Sequence, residues 1–233
     1  MKIDCVWEHN GDDSLLYVAE YPGAFTRGFS REDALMKMPN EIASYLRWRG
    51  LHVPQTVEVI ISQEKKSELQ IRDADSDVLF DTECAPLTME EYDQLKCLAL
   101  KSAEDFQQLF DVIPDKHRSV LPERKTFYGN VPRTAQEMYD HTKSVNAYYF
   151  GEIDVPADNN DTIVACRLRG FAELERKVDF LKNNEIEGSY GEFWTLRKVL
   201  RRFIWHDRIH AKAMYRMAVK TFGVAAIPNV FEF

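Results

Sequence analysis

The spacing of apolar and polar positions changes character near residue 85. Before it, apolar residues alternate with polar ones at strand period. Residues 2–8 (KIDCVWE) and 14–21 (SLLYVAEY) predict two strands, and Asn10-Gly11 between them is a hairpin-turn signal. Pro22-Gly23 breaks the second strand, and residues 24–29 (AFTRGF) predict a short third. Ser30 is a helix cap, after which Ala34, Met38, Ile42, Tyr45 and Trp48 recur at helical spacing as far as Gly50. Pro39 inside that stretch predicts a kink or a split. Residues 56–62 (TVEVIIS) predict another strand and residues 68–72 (ELQIR) one more. The order β-β-β-α-β belongs to an α+β layer arrangement.

After residue 85 the period becomes helical. Thr88 and Glu91 form a capping box, with Leu87 and Tyr92 placed as a staple and Pro114 as the stop. Thr134 and Glu137 form a second box, opening a helix that carries Met138, His141, Val145 and Tyr148. Asp161 is placed to cap a third helix running to about residue 182 through Val164, Leu168, Phe171, Leu174 and Val178. A fourth starts near Gly191 and stops at Gly223. Four such stripes predict an antiparallel four-helix bundle. The expected division is residues 1–82, a small accessory α+β domain, and residues 83–233, the bundle.

Composition narrows the class. The chain has 233 residues, 45% hydrophobic and 29% charged, which is ordinary for a globular protein. No apolar run is long enough for a membrane span, and the first residues lack a secretory h-region, so the expectation is a cytoplasmic protein with no membrane partner. Cys5, Cys84, Cys97 and Cys166 form no C-x-x-C pair and are expected as free thiols, mostly buried as small hydrophobes. The net charge of −8 falls almost wholly on residues 1–85, an acidity that disfavours nucleic acid as a partner. The basic residues of the last helix, Arg197, Lys198, Arg201, Arg202, Arg208, Lys212, Arg216 and Lys220, are expected on a solvated outer face.

The candidate chemistry lies in the stripe Leu196, Val199, Phe203, His206, His210, Ala213, Met217. Two imidazoles stand one turn apart on a core-facing stripe, and His141 interrupts the stripe of the second bundle helix. A buried polar ring without a partner costs about 1–3 kcal/mol. Three converging imidazoles therefore point to one divalent ion, and imidazole suits zinc or nickel. His9, His52 and His117 sit by turns and loops and are expected to be exposed and structural.

Two stretches resemble known families. PGAFTRGFSREDAL, with Pro22, Gly23, Gly28, Ser30, Glu32, Asp33 and Ala34, resembles the HicB-like antitoxin fold over about 60 residues. The segment that follows is helical in another style, so no toxin-neutralising role is carried over. VPRTAQEMYDHTKSVNAYYFGEI and FIWHDRIHAKAMYRMA resemble the second and last helices of the DinB/YfiT-like superfamily, over residues 88–222. That resemblance implies His141, His206 and His210 as metal ligands. It also implies a metal-dependent thiol S-transferase or hydrolase, acting on a small-molecule thiol or electrophile. The alternative is a non-enzymatic stress or regulatory protein, stapled by the metal, whose amino-terminal domain binds a partner. A homodimer is compatible with either.

Overall fold

A computed structural model of the chain describes residues 1–127 and 129–233. Strands β1 (Lys2–His9), β2 (Ser14–Val18) and β3 (Phe25–Gly28) lead into helix α1 (Arg31–Trp48) and strand β4 (Glu58–Lys66). The sheet order is β3-β2-β1-β4, with β1 antiparallel to β2 and parallel to β4. The turn after β1 forms because Asn10 Oδ1 accepts from the Asp12 and Asp13 amides, at 3.1 and 2.9 Å, while Gly11 takes φ +103°. Helix α1 starts where expected, with Ser30 Oγ accepting from the Asp33 amide. It runs through Pro39 without a split. Met38, Ile42 and Tyr45 stay buried on one face, and that packing outweighs the backbone bond that the proline removes.

Residues 68–72 form no strand. Ile71–Asp73 make a single 3-10 turn, because Ser67 Oγ and Asp75 Oδ2 accept from the Leu69 and Gln70 amides and hold the backbone away from the sheet. Helices α2 (Met89–Val112), α3 (Ala135–Gly151), α4 (Ile163–Leu174) and α5 (Leu196–Phe222) complete five helices among the described residues. Both expected capping boxes are formed, at Thr88/Glu91 and Thr134/Glu137. Two boundaries differ. Thr162 caps α4 in place of Asp161, and the helix ends at Leu174, well short of residue 182. Tight turns at Arg176 and Lys177 and the left-handed Asp179 end it, and Val178 lies 89% exposed. Helix α5 begins after Thr195, since Phe193–Trp194 pair antiparallel with Ile186–Glu187 and Gly191 has φ +71°. Its expected end is present, with Gly223 at φ +92°.

Helices α2 and α3 each pack on both α4 and α5. At their centre is a fully buried ion pair. Arg167 of α4 meets Asp207 of α5 through two bonds, of 2.5 and 3.0 Å. Arg167 also donates to Ala99 O of α2 and Asn146 Oδ1 of α3, and Ser102 Oγ of α2 donates to Asp207. One network therefore joins all four helices.

The opposite face of α5 carries the sheet. Trp205 packs among Val6, Leu15, Tyr17, Phe25 and Phe80. Gly23 brings the β2–β3 turn so close that a Cβ there would lie 2.5 Å from Ile204 Cγ2. Its carbonyl accepts from Arg208 Nε at 3.1 Å. The solvated outer face expected for the basic residues holds at Arg216 and Lys220 but is overturned at Lys198, Arg201, Arg202 and Arg208, which are buried. Glu41 of α1 pairs with Arg208 (3.0 Å) and Lys212 (2.6 Å), Glu83 pairs with Arg201, and Lys198 donates to the Asp77 carbonyl at 2.8 Å. Buried cations persist because these partners repay part of their lost hydration.

Replacing Asp207 with Ala strands Arg167 in a dry core and should cost about 3–5 kcal/mol of unfolding free energy in a denaturant titration. The double variant Arg167→Met, Asp207→Leu should recover most of that. A loss below about 1 kcal/mol for Asp207→Ala would show that the pair does not hold the helices.

Candidate metal centre

Helix α3 carries His141 and helix α5 carries His206 and His210, and these two helices pack together. The i, i+4 spacing on α5 places its two rings one above the other, with centroids 4.4 Å apart. The His141 ring lies 5.2 Å from His206 and 4.6 Å from His210. One ligand nitrogen from each of the three lies within 4.8 Å of the others. Nitrogens sharing one tetrahedral ion at about 2.1 Å stand about 3.4 Å apart, a gap that small side-chain rotations close.

Burial and charge both keep the rings neutral. His206 is held well below the usual imidazole range, first by burial, then by the neighbouring His210 and His141 and by Arg202. Burial, then His141, pushes His210 down to about 3, and burial lowers His141. The Nδ1 atom of His206 is buried and has no hydrogen-bond partner. Three neutral imidazoles in one cluster, one of them with an orphaned buried nitrogen, are a donor set that a cation fits.

The triad lies in the wall of a cleft of about 1630 Å³ between the sheet unit and helices α3 and α5. Phe25, Met138, Val145, Tyr149, Trp205 and Ile209 supply apolar lining, while Glu41, Asp75 and Arg202 bring charge. Tyr148 borders the cleft and is 37% exposed, whereas Tyr149 is buried among Trp194, Phe203 and His206. The carboxylates beside the ligands in sequence point elsewhere: Asp140 bonds Gln136 on the surface, and Asp207 faces Arg167. The remaining histidines stay apart. His52 and His117 are exposed, and His9 is half-buried, stacked on Trp7 and bonded to Glu64. The four cysteines are free, Cys5 and Cys166 buried and Cys84 and Cys97 exposed.

Arg202 was missed as a site residue. It stands one turn before His206, at the same spacing that links His206 to His210, and that spacing was the available signal. No family model, curated protein or solved structure matches the chain.

Neutral burial makes stability acid-sensitive. The unfolded chain takes up protons at these histidines near pH ~6.5, whereas the folded chain resists doing so. The stability tied to the depressed pKa values is present above that pH. It is lost as pH falls from about 6.5 towards about 3, where His210 itself protonates. Melting of chelator-treated protein across this window should show the fall, and His210→Gln should make it shallower. Equal slopes for both proteins would contradict the assignment.

Proposed function

We propose that this protein is a metal-dependent enzyme of the DinB/YfiT-like kind. In this reading α2–α5 form the four-helix bundle of that superfamily, and the preceding unit is HicB-like. His141, His206 and His210 hold one divalent ion, zinc or nickel. The supporting observation is that three neutral imidazoles from two helices meet in the wall of an open cleft, one of them with an orphaned buried nitrogen. A structural zinc site is closed by four protein ligands, whereas three ligands beside a cleft leave room for an exogenous one.

A divalent ion held there would supply a depressed pKa for a coordinated thiol or water, giving a nucleophile at neutral pH. The chain's own residues do the remaining work. The three rings stay unprotonated, so no proton has to leave before they ligate. Tyr149, Trp205 and Ile209 narrow the cleft and limit water around the rings. The Arg167–Asp207 pair fixes α5 at the residue next to His206. The reaction is transfer of a small thiol to an electrophile, or hydrolysis.

Chelator-stripped full-length protein should take up one equivalent of Zn²⁺ in calorimetry, with a rise in melting temperature by mass action. Ala at His141, His206 or His210 should weaken binding by at least the roughly 10–100-fold that loss of an outer-shell partner brings. Ala at His52 or His117 should change nothing. Unaltered uptake by His206→Ala would end the proposal. Zinc-dependent consumption of a thiol–electrophile pair would separate the enzyme from the alternative, a metal-stapled regulatory protein.

A further inference from the structure

The cleft contains a buried cation that, among the described residues, no carboxylate contacts directly. Arg202 is 8% exposed and lines the same cleft as the three histidines. Its Nη1 donates to the Ser76 carbonyl at 2.9 Å, the guanidinium's one hydrogen bond among the described residues. Its Nε is buried without a partner. Among the described residues no carboxylate reaches ion-pair distance, unlike Arg167, Arg201 and Arg208, the other buried arginines of this core. The acidic groups around it are engaged elsewhere. Glu192 pairs with Lys198, and Glu8 accepts from Ser76 Oγ and the Asp77 amide. Asp75 accepts from the Gln70 amide. Aromatic rings fix the guanidinium instead, with its carbon 4.9 Å from the Trp205 ring centre and 5.4 Å from that of Tyr149.

A buried arginine without an anion is costly, and its planar fork is suited to two parallel bonds to a carboxylate. One helical turn, about 6 Å along the axis, separates it from His206. We propose that Arg202 anchors the carboxylate of the substrate, whose reacting end lies at the histidine triad. The ligand class is a small molecule with an apolar body and a single carboxylate. Its body fits the wall of Phe25, Val145, Tyr149 and Ile209. This inference rests on the triad being the reaction centre, but its chemistry is read separately from the metal.

The test uses full-length protein and two probes of one shape, phenylacetate and its neutral amide, phenylacetamide. Their affinities are measured by calorimetry on zinc-loaded and on chelator-treated protein, with zinc affinity measured alone in parallel. Phenylacetate should bind at least roughly tenfold tighter than the amide, in line with a charged hydrogen bond. Arg202→Gln should abolish that preference while leaving zinc affinity unchanged. Arg202→Lys, which keeps the charge but not the fork, should retain part of it and serves if the Gln variant fails to fold. Equal affinity for the two probes, or a preference that survives both substitutions, would overturn the proposal. A carboxylate preference that depends on Arg202 in protein that binds no zinc would uphold the anion site while removing the metal reading.

Discussion

The bidentate contact between Arg167 and Asp207 is the constraint on which the helical half of the molecule depends. Both side chains are fully buried, so neither charge can be hydrated, and each is acceptable only while the other is in place. The remaining donors and acceptors of the pair are taken up by Ala99, Ser102 and Asn146, one partner or more from every other helix of the group. Such a network tolerates little sliding or rotation of α5, because a displacement would leave a charge unpaired in a dry interior. His206 follows Asp207 directly in the chain. The rotation of α5 that satisfies the ion pair is therefore the rotation that turns His206 and His210 towards His141.

The second constraint acts on the other side of the same helix. From Lys198 to Arg208 every residue of α5 is buried, which one layer of helices cannot achieve. The sheet unit covers the remaining face, and its carbonyls and carboxylates, from Gly23, Glu41, Ser76, Val78 and Glu83, meet the buried cations. This unit also forms the far wall of the cleft. The first eighty residues thus hold the site's central helix and shape the space in front of it. Arg202 sits where the two functions meet, tied to the sheet unit through Ser76 and turned to the cleft.

Much of this was legible in sequence where the determinants were local. Capping boxes at Thr88 and Thr134, the Asn10-Gly11 turn and the Gly223 stop each depend on residues within a few positions of one another, and each is present. The convergence of His141 with His206 and His210 was legible because helical spacing placed all three on apolar stripes. The buried arginines of α5 were misread, since their partners lie more than a hundred residues away and nothing local distinguishes a buried arginine from a solvated one. Helix ends at Leu174 and Thr195 were misread for a related reason. The apolar pattern around them continues, but a left-handed Asp179 and the short ladder of Ile186–Glu187 with Phe193–Trp194 end the helical path.

The central claim is that three side chains, brought together by the packing of α3 on α5, share one ion. X-ray absorption at the metal edge of zinc-loaded full-length protein tests this most directly, because it counts and ranges the donors without reference to activity. The account predicts three imidazole scatterers at about 2.0–2.1 Å, with at least one further light atom from water or an added ligand. In the His141→Ala protein, loaded at the same zinc concentration, one imidazole shell should be lost. A spectrum with sulfur donors, with fewer than three imidazoles, or unchanged by the substitution would contradict it.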